Sequence, residues 1–228
     1  MRTKTLLLTA ALTAAGAATS LAQAVYSQNT VGYVNLNLVA GYNLVANPLD
    51  VGGNTLAEVL PSAPNNARVF KFSNGTFEDA VTFITGVGWF PDATKKLSPG
   101  EGAFIQLDAA ASLTFVGQVH EGNISSSIAT GYSIQSSQLP ISLPLGKASD
   151  PEKTSTTSAT TLRFPAANND QIYQFNAASQ GYKDASTYID GIGWFPGDVN
   201  GPAPGVGEAF FVLRSAAKSW TRNYAVSP

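Results

Sequence analysis

Gly86-Val87-Gly88-Trp89-Phe90-Pro91 returns as Gly191-Ile192-Gly193-Trp194-Phe195-Pro196, 105 residues later. A block with glycines, Trp and Pro in the same places marks one module written twice. The match extends outward. Phe77-Glu78-Asp79-Ala80 answers Tyr182-Lys183-Asp184-Ala185, and Thr82-Phe83-Ile84 answers Thr187-Tyr188-Ile189. Upstream, Asn65-Asn66 pairs with Asn168-Asn169, and Val69-Phe70-Lys71-Phe72 with Ile172-Tyr173-Gln174-Phe175. Downstream, Pro99-Gly100-Glu101-Gly102 aligns with Pro204-Gly205-Val206-Gly207, which sets Val206 in the place of Glu101. The openings recur 90 residues apart, with Gly32, Val34, Leu38, Gly41 and Tyr42 matching Gly122, Ile124, Ile128, Gly131 and Tyr132. The changing offset puts insertions in copy two, mostly between Leu139 and Ala167. Copy one is set at 28–119 and copy two at 120–228. Stacked solenoids need three or more repeats to bury a continuous core, so two long copies read as a domain duplication.

Within a copy the hydrophobic period is two. Val34, Leu36 and Leu38 alternate with Asn35 and Asn37, as in a half-buried strand. Leu44 and Ala46 continue the alternation after Gly41. Val69–Phe72, Thr76–Ala80, Ala103–Leu107 and Leu113–Val119 follow, separated by Gly, Pro and Asn. The spacing predicts about six strands per copy. One short helix is expected at Asn54–Leu60, with Asn54 as N-cap, Leu56, Val59 and Leu60 inward, and Pro61 as the stop. Copy two has Lys147–Thr161 there instead, a Ser/Thr-rich loop in which Ser149-Asp150-Pro151-Glu152 suits one helical turn. Pro99-Gly100 and Pro204-Gly205 fit type II turns. The fold class is all-β: two homologous small β-sandwich or partly closed barrel modules, with at most one short helix per module. The short connection near His120 lets them pack as one pseudo-two-fold unit.

Residues 1–24 read as a secretory signal peptide. Arg2 and Lys4 form its basic start, Leu6–Ala18 its uncharged stretch, and Ala22-Gln23-Ala24 its cleavage site. Removal of that leader leaves 204 residues with a formal charge of −4, since Arg2 and Lys4 are the only charges lost from a total of −2. The mature chain has no second long apolar run, so no membrane span is expected. With no Cys, stability rests on the core alone. No basic cluster exists beyond Lys95-Lys96, which disfavours nucleic acid as a partner. One His and no Cys leave no ordinary zinc site, and no metal or cofactor is expected.

The stretch Gly41-Tyr42-Asn43-Leu44-Val45-Ala46-Asn47-Pro48-Leu49 resembles the opening of a family of exported bacterial β-repeat proteins. Its members pair G-[WY]-N-L-x-x-x-P-L with a later Trp segment. A P-G-E-G-[AF]-F turn and a strand ending near Gly then follow, here Leu113-Thr114-Phe115-Val116-Gly117. Copy one matches throughout. Copy two matches weakly at Gly131-Tyr132-Ser133-Ile134 and has Val206 where copy one has Glu101. The resemblance implies export and a β-rich fold, and carries over no catalytic residue.

Trp89 and Trp194 are the leading candidates for ligand binding. A ring held in a Gly-rich loop can stack on a sugar face, and two copies would add avidity. The competing reading is that each Trp caps its module's core, in keeping with the usual burial of Trp. Trp220, Arg222 and Tyr224 share one face of a final strand. Trp220 and Tyr224 are thus further ligand candidates, against simple packing of the terminal strand. Asp79 and Asp184 are acidic in both copies, which leaves catalysis, calcium binding and a structural turn bond open, with a local side-chain-to-backbone bond as the default. Asp198-Val199-Asn200-Gly201 has a faint calcium-loop pattern without the further acids such a loop needs. His120 stands between the copies with nothing local to make a triad.

Export, duplication, low charge and the lack of a catalytic cluster point to a secreted structural or adhesive surface or matrix protein without catalytic activity. Its partner would be a surface polysaccharide or a matrix protein, and its location secreted, periplasmic, cell-surface or extracellular. The alternatives are a carbohydrate-binding module using the loop tryptophans and a hydrolase with an unrecognised carboxylate site.

Overall fold

The structure, a computed structural model, describes residues 30–150 and 160–226. The leader expected over residues 1–24 lies outside the described residues. So do residues 151–159 of the Ser/Thr-rich loop, with half of the turn suggested at Ser149–Glu152.

The first module runs β1 (Val31–Leu38), β2 (Gly41–Ala46), α1 (Leu56–Val59), β3 (Arg68–Ser73), β4 (Thr76–Phe77), β5 (Val81–Ile84), β6 (Gly88–Phe90), β7 (Gly102–Leu107) and β8 (Ala111–Gln118). The second repeats the strands as β9 (Gly122–Ile128), β10 (Gly131–Ser136), β11 (Gln171–Asn176), β12 (Gly181–Tyr182), β13 (Ser186–Ile189), β14 (Gly193–Phe195), β15 (Ala209–Arg214) and β16 (Lys218–Tyr224). In each, a two-stranded ribbon packs on a six-stranded antiparallel sheet. The first pair is β1-β8 over β2-β7-β3-β5-β6, with β4 on β3; the second is β9-β16 over β10-β15-β11-β13-β14, with β12 on β11. The protein is thus an all-β pair of homologous sandwich modules. Eight strands per copy exceed the six read from the sequence because the Trp segment and the run before it form a hairpin, β5–β6 or β13–β14.

The ribbon follows the expected alternation. Val34 pairs with Phe115 and Leu36 with Leu113, and these residues face the sheet. On β2, however, Asn43 to Ala46 are all buried. Val45 joins the core of module one, whereas Leu44 and Ala46 pack against module two. Both faces of the large sheet are therefore covered, one by its own ribbon and one by the other module.

The helix is shorter than expected and starts one residue later. Thr55, not Asn54, is its N-cap, in a capping box with Glu58. Asn54 has φ 53°, outside helical geometry, and its side chain instead bonds Asp50 and the Val51 N–H. The turn before β15 also departs from expectation. Glu208 N–H closes on Gly205 O as Glu101 N–H closes on Ser98 O, both at 3.0 Å. Gly100 and Gly207 hold the positive φ these turns require, at 91° and 73°. Glu208, not Val206, is therefore the counterpart of Glu101, and Val206-Gly207 replaces Pro204-Gly205 as the turn's centre. The Pro-Gly likeness misplaced the alignment by two residues. The carboxylates act alike: Glu101 Oε2 accepts from the Ser98 N–H at 2.9 Å and Glu208 Oε2 from the Gly205 N–H at 2.7 Å.

The two large sheets meet about a pseudo-two-fold axis. Phe72 packs on Phe211 at 5.1 Å between ring centres, and Phe175 on Phe104 at 4.9 Å, both edge-to-face. Such aromatic pairs add to simple burial. Reciprocal backbone bonds join the modules, from Ala46 N–H to Gly207 O at 2.8 Å and from Ser136 N–H to Gly100 O at 3.1 Å. Gly102 lies at the closest approach, where a Cβ would overlap Ala209 Cβ and Ile134 Cγ2. Gly102→Val is expected to cost about 1–3 kcal/mol by overpacking this seam. Equilibrium unfolding checks the loss, and near-ultraviolet circular dichroism should show a weakened aromatic signal. Unchanged stability would mean the seam is loose.

Candidate functional site

The repeated Trp hairpin divides its aromatic pair between core and solvent. Gly86 and Gly191 supply positive φ at the tip, and the Val87 and Ile192 N–H groups close their turns on Ile84 O and Ile189 O. The next Trp turns inward. Trp89 Nε1 donates to Leu60 O at 2.9 Å, just past α1, and its ring meets Phe83 at 5.4 Å. Trp194 Nε1 donates to Gly146 O at 3.0 Å and packs on Tyr188 and Phe164. Leu145-Gly146 thus takes the place that α1 holds in copy one. Trp220 is also buried, with Nε1 bonded to Leu162 O at 2.9 Å, and Tyr224 is enclosed with Ile124 and Leu139.

Trp89, Trp194, Trp220 and Tyr224 therefore present no ring face to solvent. This corrects the expectation that their rings are free to stack on a ligand. Each indole N–H is spent on a backbone carbonyl that folding would otherwise leave without a partner. The residues that do face out are their neighbours, Phe90 at 57% and Phe195 at 60% exposure. Val87 and Ile192 at the tips are 70% and 63% exposed. Period two on β6 and β14 explains the split: Trp inward forces Phe outward. That neighbour was legible in the repeat, but which member of the pair faced solvent was not.

Two clefts, also related by the pseudo-two-fold axis, run between the modules. One, of about 630 Å³, is lined by Asn74, Glu101, Ser126, Tyr132 and Gln135 among others. Its counterpart, of about 590 Å³, has Leu36 and Val45 where the first has Ser126 and Gln135. The first is therefore the more polar of the two. Lys71 bonds Glu101 at 2.6 Å, and Gln174 bonds Glu208 at 3.0 Å, so both clefts carry a like polar link.

The other candidates take structural places. Asp79 and Asp184 are exposed, and among the described residues neither makes the local bond expected of it. Asp198 Oδ1 accepts from the Asn200 N–H at 2.8 Å, as Asp92 Oδ1 does from the Thr94 N–H at 2.9 Å. Both close a turn after the hairpin, and among the described residues no group of acids or His is gathered to hold a metal. His120 Nε2 lies 3.1 Å from Asp50 Oδ2, which ties the connection between modules back to module one. Burial raises the Asp50 carboxyl, but bonds from Asn54, Gly52 and His120 outweigh it and hold the group below its ordinary value.

Fold and surface together define an all-β, duplicated protein with a matching apolar tip on each copy. Among the described residues no helix is long and apolar enough to cross a membrane. The chain matches no protein-family model, no curated protein and no solved structure.

Proposed function

We propose that the mature protein is a secreted, non-catalytic structural or adhesive component of a cell surface or extracellular matrix. It holds a repetitive partner through both copies at once. The observation that carries this reading is the pair of exposed tips, Val87 with Phe90 and Ile192 with Phe195. Each tip is fixed from behind by a buried, hydrogen-bonded Trp. Exposed apolar side chains repeated on stiff hairpins are suited to association, and two tethered sites bind a repetitive partner far more tightly than one. A matrix protein is the favoured partner because the tips are apolar. A carbohydrate is the second reading, since the exposed Phe rings can stack on sugar faces.

Phe90→Ser is expected to weaken retention on the surface or matrix fraction of the producing cell by about tenfold, and Phe90→Ser with Phe195→Ser by on the order of a hundredfold. Thermal stability should change little, because both rings stand in solvent. Co-sedimentation of the purified variants with that fraction measures the effect. Full retention by the double variant would sink the reading. Competition by soluble glycan would turn it toward carbohydrate.

A further inference from the structure

The β11–β12 hairpin reaches across the seam, and its counterpart, β3–β4, does not. Its four-residue turn, residues 177–180, holds Gln180 at φ 52° and lays the Gln180 carboxamide on the edge of β2. Tyr42 N–H donates to Gln180 Oε1 at 2.7 Å, and Gln180 Nε2 donates to Tyr42 O at 3.0 Å. The side chain thus pairs with Tyr42 as a neighbouring strand would. Gly41 is fitted to it, since a Cβ there would lie 2.5 Å from Gln180 Oε1.

Copy one makes the same turn with two residues, Asn74-Gly75, both at the positive φ of a tight hairpin. Among the described residues no side chain bonds the N–H or C=O of Tyr132, the counterpart of Tyr42. Those groups point away from β15. The Ser136 N–H, in phase with Tyr132 on β10, leaves its own sheet to meet Gly100 O. A Cβ on Gly131 would meet nothing within 4 Å. The clefts differ accordingly. The 630 Å³ cleft runs along Gly131, Tyr132 and Ser133, whereas its counterpart stops short of Gly41 and Tyr42. Past Ile134 the edge is closed, because Gln135 bridges to Glu101. About three residues, roughly 10 Å of strand, are therefore open.

We propose that this edge of β10 binds a short extended polypeptide segment of a partner, whose backbone N–H and C=O meet Tyr132 as the Gln180 carboxamide meets Tyr42. The protein supplies its own precedent: one copy carries the matching group, and the other carries the receiving edge in an open cleft. The edge requires an N–H and a C=O that face the same way. One residue of an extended strand offers both. The N-acetyl group of an amino sugar does not, because a trans amide points its N–H and C=O in opposite directions. The cleft walls select the side chains. Asn74, Ser127 and Thr130 are polar and exposed, and Lys71 already neutralises Glu101 at 2.6 Å. An uncharged segment rich in Ser, Thr, Asn or Gln fits them.

The test is a titration of the isotopically labelled mature protein with an acetylated, amidated pentapeptide of Ser, Thr and Gln, followed by amide chemical shifts. Saturable shifts are expected at Gly131, Tyr132 and Ser133, with a Kd roughly in the millimolar range. Hydrogen exchange at the Tyr132 N–H should slow as the peptide saturates. Replacing Asn74-Gly75 by Ala-Ala-Ser-Gln gives copy one the longer turn. It should weaken the peptide about tenfold by filling the edge from within. Gln180→Ala bares Tyr42 and should add a second set of shifts at Gly41 and Tyr42. Both changes lie in exposed turns, so both variants should fold. A wild type unmoved by the peptide, a turn graft that binds as the wild type does, or a Gln180→Ala variant without the second response overturns the proposal. So do cleft shifts caused by an N-acetylglucosamine oligomer and not by the peptide. The titration reads the cleft amides alone, so its failure leaves the adhesive reading of the tips standing, and failure of that reading leaves this edge untouched.

Discussion

Asp170→Ala is expected to cost about 3–5 kcal/mol, because it strands a buried cation. Asp170 and Arg214 are both almost fully enclosed, with Arg214 Nη2 2.5 Å from Asp170 Oδ2. Asp170 Oδ2 also accepts the Ala167 N–H at 2.8 Å, and Arg214 Nη2 donates to Pro165 O at 2.9 Å. Nε and Nη1 of Arg214 already lack partners, so the carboxylate is its principal compensation. Burial presses the Asp170 carboxyl above its ordinary value and the Arg214 guanidinium below its own. At the corresponding places module one has Ala67 and Leu107, both in its apolar core. Matching bonds and strand register establish that equivalence: Ala67 N–H reaches Pro64 O as Asp170 N–H reaches Ala167 O, and Leu107 pairs with Gly41 as Arg214 pairs with Gly131. Asp170→Ala with Arg214→Leu therefore installs the pair that copy one already packs. It should recover most of the loss or exceed the wild type, as replacing buried ion pairs by apolar groups often does. A double-mutant cycle by denaturant unfolding gives the coupling. A single-mutant cost below about 1 kcal/mol would show that water reaches the pair.

Trp194→Ala is expected to be as severe, at about 3–5 kcal/mol. The ring is 1% exposed and contacts Tyr188 and Phe164, so its removal leaves a cavity between sheet and ribbon. The loss of Nε1 also deprives Gly146 O of its donor. Trp194→Phe separates the two effects. It keeps an aromatic ring but not the N–H, and should cost roughly 1–3 kcal/mol for the unmet carbonyl plus a smaller amount for the volume the narrower ring leaves empty. Circular dichroism is the suitable probe, since the substitution removes a fluorophore. If Trp194→Ala melts as the wild type does, the ring is not the keystone of its module.

The repeat and the all-β character were legible because they rest on local patterns. Alternation in Val34-Leu36-Leu38 and the Gly-Trp-Phe-Pro block each refer only to nearby residues. What escaped was whatever depends on the partner surface. Leu44 and Ala46 alternate correctly, yet the face they point to belongs to the other module. Val206 looked like the counterpart of Glu101 because a Pro-Gly pair recurs nearby, while hydrogen bonding selects Glu208. Period two placed Trp220, Arg222 and Tyr224 together, but not on the inside. An Arg reads as a surface residue until the ribbon is seen closed over it. The same limit applied to the hairpins, where the exposed Phe was hidden behind a more conspicuous Trp.

The reciprocal seam between the sheets has a historical meaning. Phe72 on Phe211 and Phe175 on Phe104 are one contact made twice, in the manner of a symmetric dimer. A single-copy forebear with that face would have met its twin only at sufficient concentration. Joining the copies through the short connection at His120 made the encounter intramolecular and independent of dilution. It also freed the halves to drift apart. Once every molecule contained one of each, the two cores were free to differ, and they do: one holds Asp170, Arg214 and Arg222 where the other is apolar. The seam thus turned two interchangeable partners into two specialists.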